Sequence, residues 1–269
     1  MMYVIGSRGR LGQAICNRYA PADVVQLERG AYAGWCAADA RAHIEAYFAP
    51  RVQPGDVVFV CSGLLDPALG REALEAVNLD LPRNLIEALV PMGVQVVTFG
   101  TVMEEILTAN PYVDSKRRLG DYVAEQHRLG APVTHVRIHT LYGGGEPSPF
   151  MFLGLIAKAL RSDARFAMTS GRQLREYHHV DDDAAAIYQL VDKRVHGVLA
   201  LSHGRPVTLA ALAQSVFAAA DKPDLLGLGE LADPPQENFE HIFSQPQVLA
   251  DCIFRDTLAG VNDYMKALV

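Results

Sequence analysis

Short apolar runs alternate along the chain with stretches whose hydrophobic positions recur every three or four residues. That alternation is expected when helices cover both faces of a buried parallel sheet. The runs predict strands at 2–5, 24–28, near Cys36, 57–61, 94–98, 133–138 and 198–201. Between them the spacing predicts helices at 10–19, 40–48, 71–89, 111–128 and 181–191. The fold class is therefore α/β. After Tyr142 the texture changes: 143–149 is loop-forming, 150–160 is helical, and 204–269 holds a helix at 209–220, a Pro/Gly-rich loop and a closing amphipathic stretch. These pieces do not continue the sheet. Residues 1–141 and 175–203 are thus expected to form the sheet domain, and 142–174 and 204–269 a small interleaved cap over its carboxyl edge, where open α/β sheets bind ligands.

The first predicted turn carries chemistry. Gly6, Gly9 and Gly12, with Ser7, Arg8, Arg10 and Leu11 between them, give a G-x-x-G-x-x-G spacing directly after a strand and at a helix start. Glycine permits the sharp turn, the close approach of a pyrophosphate and tight helix packing, while the helix amino end offers N–H groups to phosphate. This predicts a Rossmann-type, doubly wound sheet holding NAD or NADP. Strand two ends in Glu28-Arg29. Glu28 would accept the adenosine ribose hydroxyls of NAD, whereas Arg29, helped by Arg8, would pair with the 2′-phosphate of NADP. The choice stays open, with a lean to NAD from Glu28.

Tyr112 and Lys116 are four residues apart on a predicted helix, hence on one face. Lys116 beside the phenol is expected to lower the Tyr112 pKa and make it a usable proton donor or acceptor. The strand before it ends at Thr101, whose hydroxyl is placed to hydrogen-bond the same substrate oxygen.

In this order the chain resembles the extended short-chain dehydrogenase/reductases, the NAD-dependent epimerase/dehydratase family. Gly6, Gly9 and Gly12 look like its cofactor loop and Asp39 like its adenine-contacting acid. Cys61-Ser62-Gly63 takes the place of its post-strand loop, and Asn78 resembles the asparagine of the following helix. Thr101, Tyr112 and Lys116 match its Ser/Thr–Tyr–Lys triad. Arg137-Ile138-His139-Thr140-Leu141-Tyr142-Gly143 is similar to its R-x-x-N-x-Y-G segment, with Thr140 where asparagine is usual. The run from Arg175 to Asp182 resembles its R-D-[FY]-x-H-V-x-D segment. The resemblance implies an enzyme acting on a nucleotide-activated sugar, with Arg175 and Thr140 on the substrate side and Arg175 touching the diphosphate. It also implies a homodimer built on the helices at 71–89 and 111–128, although their apolar stripes would equally pack on their own sheet. Val102-Met103 follows the triad threonine where the resemblance implies Asp-Glu for 4,6-dehydratases. No acid/base role is carried onto Glu104 or Glu105.

Composition narrows the remainder. Half of the 269 residues are hydrophobic and 20% are charged, an ordinary globular balance. A formal charge of −7 argues against a nucleic-acid partner. Four scattered cysteines and no apolar stretch long enough for a bilayer suggest a cytoplasmic protein with no membrane partner. Adjacent His178 and His179 are expected to point apart, and no Cys/His/Asp set stands near them at ligand spacing, so no metal is expected. His179 is expected to make a structural hydrogen bond, and Trp35 to pack beside the third strand. The acids Asp181–Asp183 would cap a helix. Cys61-Ser62-Gly63 lacks a nucleophile elbow and carries no hydrolase signal. The leading expectation is an epimerase or 4-ketosugar reductase. Its rivals are a reductase of a small non-nucleotide carbonyl compound and a non-catalytic NAD(P)-binding sensor.

Overall fold

The computed structural model describes residues 1–66 and 69–269, which fall into two units. The first comprises Met1–Ile138 and Ala184–Leu201, the second His139–Asp183 and Ser202–Val269.

The first unit is built on a six-stranded parallel sheet. In chain order its elements begin with β1 (Met2–Ile5), α1 (Arg10–Cys16), β2 (Val24–Leu27), α2 (Arg29–Tyr32), α3 (Arg41–Phe48) and β3 (Val57–Val60). They continue with α4 (Arg71–Glu75), α5 (Leu81–Leu89), β4 (Gln95–Thr101), α6 (Pro111–Arg128) and β5 (Val133–Ile138). The strand Gly197–Ala200 pairs with β5, and from it the order runs β5, β4, β3, β1, β2. All four residues of β3 and the first six of β4 are buried, as central parallel strands covered on both faces must be. The helix α6 starts where its sequence dictates. The Asn110 side chain accepts the Val113 N–H at 3.2 Å and Pro111 occupies the first turn, while His127 and Arg128 lie in the last.

One predicted strand does not form. The segment around Cys36 folds as turns after α2, because its polar backbone is satisfied locally and by a side chain. Trp35 N–H bonds Tyr32 O at 3.1 Å, Ala37 N–H bonds Gly34 O at 3.2 Å, and the Asn84 amide donates to Trp35 O and Ala37 O at 2.9 and 2.8 Å. Trp35 is buried among Tyr32, Tyr47 and Phe48, so it does pack into the core, but beside a helix and a turn. β2 is left as the sheet edge.

The predicted helix at 71–89 is present as α4 and α5 joined through a π-turn at Ala76–Asp80. Its apolar residues and those of α6 are turned inward: no large hydrophobic side chain between 71 and 128 is exposed. Charged pairs link α4 to α6 instead, Arg71 to Asp114 at 2.9 Å and Arg118 to Glu75 at 2.7 Å. Within the chain, α5 packs on β4, and α6 on β4 and β5 of the sheet.

The second unit has its own core, built on the helices Phe152–Arg161, Leu209–Ala219 and Thr257–Lys266. Its strands are short. Thr140–Tyr142 pairs parallel with Tyr177–His179, and Leu174–Arg175 antiparallel with Val207–Thr208. Residues 139–141 and 175–183 therefore belong to this unit, where the sequence reading placed 175–183 and 139–141 with the sheet. The reason is that these strands pair with each other and not with the six-stranded sheet. No helix among the described residues is long and apolar enough to cross a membrane.

Candidate active site

The strand order reverses at β1, with β2 on one side and β3 on the other, the position where doubly wound sheets open a crevice. A cleft of about 480 Å3 lies there. One wall is the turn after β1 (Gly6, Ser7, Arg8, Gly9) and the other the loop after β3 (Cys61, Ser62, Gly63, Leu64). The two backbones approach so closely that only glycine fits. Gly6 has φ +78°, and a Cβ there would sit 2.5 Å from the Ser62 nitrogen; one on Gly12 would sit 2.3 Å from the Gly6 oxygen. Gly9 starts α1 without a side-chain cap, leaving the first-turn amides available to an anion. Arg10 and Leu11 follow as the first two helical residues, half-buried. This cradle fits the pyrophosphate of a dinucleotide.

Arg29, Tyr32 and Cys36 extend the cleft on the side of β2. Arg8 and Glu28 form an ion pair, with side chains 79% and 73% exposed. Glu28 is not among the described residues on the cleft wall, and neither is the exposed Asp39.

Asn78 sits in the π-turn and is fully buried. Its Oδ1 accepts the Leu64 N–H at 2.9 Å, and its amide donates to Leu64 O at 2.9 Å and Ser115 Oγ at 3.3 Å. It thereby fixes the loop after β3 against α6. Its contribution to the cleft is made through Cys61–Leu64, not by its own amide. A Cβ on Gly63 would lie 3.6 Å from Lys116 Nζ, so the same loop borders the lysine.

Thr101 ends β4 and Tyr112 and Lys116 stand on the first turns of α6. The Thr101 Oγ1 accepts the Met103 N–H at 3.3 Å, which leaves its own O–H to donate elsewhere. The Thr101 N–H donates to Glu104 Oε1 at 2.7 Å, completing a capping box. Lys116 is buried and makes no ion pair among the described residues; burial lowers its ammonium to about 8, with Glu104 and Cys61 opposing the fall. Burial pushes the Tyr112 phenol up from its ordinary value and the Glu104 charge adds to this. The direction is opposite to the lowering expected from Lys116, because desolvation of the phenolate outweighs a lysine that is itself desolvated.

Sequence reasoning missed Glu104. The carboxylate is 4% exposed and is met by Arg137 Nε at 2.8 Å and by His135 Nε2 at 3.2 Å. Burial would raise it, but His135, the Thr101 amide and Arg137 hold it below the usual carboxylate range. Gly100 makes the room, since a Cβ there would overlap Glu104 and His135 at 1.9 and 2.2 Å. The T-x-x-E spacing from Thr101 to Glu104 was the available signal.

The second unit holds the remaining predicted residues. Thr140 opens a short strand opposite Tyr177 and is half-buried. Arg175 is ion-paired with Glu237 and donates to Leu174 O at 2.8 Å. The adjacent histidines do diverge: His178 is 2% exposed, while His179 accepts the Asp181 N–H at 3.2 Å through Nδ1.

Residues 2–200 match the family described as NAD dependent epimerase/dehydratase. No curated protein matches the chain. Among solved structures, a dTDP-4-dehydrorhamnose reductase from Bacillus anthracis in complex with NADP is similar, with a TM-score of 0.77 and 15% identity over 99% of this chain and 98% of that one. A UDP-glucuronic acid 4-epimerase variant from Bacillus cereus, in complex with a fluorinated UDP-glucuronic acid and NAD, gives 0.76 and 15% over 100% and 99%. A dTDP-glucose 4,6-dehydratase from Streptomyces venezuelae with NAD bound gives 0.78 and 16% over 99% and 96%. At these identities the likeness shows a shared fold.

Proposed function

The chain belongs to the NAD dependent epimerase/dehydratase family and is an enzyme of it; within that family we propose that it exchanges a hydride between NAD(P) and one carbon of a nucleotide-activated sugar, as an epimerase or a 4-ketosugar reductase. The observation that carries the reading is the set Thr101, Tyr112 and Lys116, one at the carboxyl end of β4 and two on α6, in the same unit as the glycine cradle. Bound NAD(P) supplies the nicotinamide carbon that gives or takes the hydride. Tyr112 gives a proton to the substrate oxygen in the reducing direction and takes it in the oxidising one. Its raised pKa keeps the phenol protonated at neutral pH, the form a reduction needs. Thr101 donates its free O–H to the same oxygen. The Lys116 ammonium stabilises the tyrosinate formed after proton transfer and holds ribose hydroxyls.

Dehydration is disfavoured. Both carboxylates after Thr101 are engaged by one guanidinium, Arg137 Nε to Glu104 at 2.8 Å and Nη1 to Glu105 at 2.5 Å, so neither is a free acid or base. For the cofactor, Glu28 favours NAD, while two arginines support NADP. Arg8 and Arg29 both border the cleft, and the exposed Arg8–Glu28 pair opens at little cost. Arg29→Ala is expected to weaken NADPH binding more than NADH binding in a paired fluorescence titration; equal losses would leave the preference with NAD.

The main test is Tyr112→Phe. Turnover in a panel of UDP-, dTDP-, GDP- and CDP-sugars, read as C–H isotope exchange or ketone reduction, should fall by about 100- to 10,000-fold while NAD(P)H affinity is kept. Turnover near that of the parent would sink the assignment. A second reading, reduction of a non-nucleotide carbonyl, is favoured by the Arg175–Glu237 pair, which occupies the guanidinium that a diphosphate would need. An unchanged KM for sugar nucleotides in Arg175→Ala would select it.

A further inference from the structure

Around Glu176 the second unit gathers metal-ligating atoms that the dinucleotide cleft and the triad do not use. His139 Nε2, Glu176 and His178 Nε2 present ligand atoms that all lie within 4.8 Å of one another. Their side chains are 5%, 1% and 0% exposed. His178 Nε2 is 2.9 Å and His139 Nε2 3.7 Å from Glu176 Oε2. Metal–ligand bonds of about 2.0–2.2 Å in a tetrahedron separate neighbouring ligands by about 3.3 Å, which these distances bracket.

The surroundings orient all three groups. Asp183 Oδ1 lies 2.7 Å from His178 Nδ1, so the carboxylate accepts the Nδ1–H and holds the ring with Nε2 turned toward Glu176, the support that ligating imidazoles commonly have. Glu176 accepts from Ser202 Oγ at 2.7 Å and from the Gly204 and His203 amides at 3.0 and 2.8 Å. These bonds fix the carboxylate before any ion arrives. His139 Nε2 is buried and has no hydrogen-bond partner, although it faces the carboxylate across 3.7 Å. His203 stands close by but does not complete the set, because its Nδ1 accepts the Arg205 N–H at 3.1 Å.

We propose that His139, Glu176 and His178 bind one divalent cation of the zinc class in the second unit. Two imidazoles and one carboxylate suit zinc or cobalt and not magnesium or calcium, which take oxygen ligands. The ion takes the place of the proton shared between His178 and Glu176, so binding releases that proton. It also ties His139, one residue before the strand Thr140–Tyr142, to the paired strand Tyr177–His179. A ladder of only three residues gains a cross-link.

The experiment uses tag-free full-length protein, dialysed against a chelator and titrated with Co2+. The expected result is ligand-field absorption in the visible that saturates at one ion per chain, vanishes on adding one equivalent of Zn2+, and accompanies a rise in Tm. His139→Leu, which leaves an apolar side chain beside Phe243, should keep the metal-free circular dichroism and lose the absorption. His179→Ala, whose imidazole caps a turn outside the set, should retain it. Absence of stoichiometric absorption in the parent protein, or its persistence in His139→Leu, would overturn the site whatever the enzyme's substrate proves to be.

Discussion

Lys116 carries an ammonium into the interior without an ion pair among the described residues, and the cost this places on folding is measurable. Its pKa falls from the ordinary 10.5 to about 8 through burial. A lysine whose folded pKa is depressed costs stability in full below the folded value, and the cost disappears once pH exceeds the unfolded value. Lys116→Met should therefore stabilise the cofactor-free protein by about 3 kcal/mol at pH 7. The gain should shrink between pH 8 and 10.5, read by urea unfolding of both proteins across that range. A variant less stable than the parent at pH 7 would show that the ammonium is better solvated than its burial implies. Under the role proposed for Lys116 the same substitution is expected to remove activity, which would set stability against catalysis at this one side chain. Tyr112 and Lys116 were legible because helical spacing alone puts them on one face, and Thr101 because it closes an apolar run. The raised Tyr112 pKa was not legible, since it depends on a depth of burial that no spacing records. The His139–Glu176–His178 set was not legible either: His139 lies 37 residues before Glu176, and only the pairing of two short strands brings them together.

Elements with strong local signals matched the sequence closely. α6 runs over the predicted 111–128 because Asn110 and Pro111 mark its start in sequence as well as in space. The segment near Cys36 failed for the opposite reason. Its alanines and glycine give no period, and the partner that decides its shape, Asn84, is supplied by α5, 47 to 49 residues later. That dependence predicts a specific fault. Asn84→Ala leaves Trp35 O and Ala37 O without their buried donor, costing about 1–3 kcal/mol. Because Tyr32, Ala33 and Cys36 border the cleft, the same variant should weaken NAD(P)H binding without touching the glycine turn. Denaturant unfolding with Trp35 emission as probe gives the first number, and a fluorescence titration with NADPH gives the second. Unchanged values in both would mean the turn holds its shape from Trp35 packing alone.

At the scale of the whole chain, the alternation of apolar runs and amphipathic stretches sufficed for the doubly wound sheet, but not for where it stops. From the sequence, 175–183 goes with the sheet domain as part of 175–203, which holds the predicted helix at 181–191 and the predicted strand at 198–201. Pairing assigns it to the second unit, and a three-residue pairing leaves no signature that a run of that length can carry. The two units keep separate cores, one around Ile5, Val58 and Leu85, the other around Ile156, Leu212 and Phe217. Every residue on the wall of the dinucleotide cleft belongs to the first. Damage to the second core should then spare cofactor binding. Phe217→Ala empties a fully buried position that packs on Phe166 and costs about 3–5 kcal/mol. The variant should melt earlier than its parent, yet below that transition bind NADPH with unchanged affinity, while turnover on sugar nucleotides falls. Loss of NADPH affinity in protein still folded by circular dichroism would mean that the cleft depends on the second core.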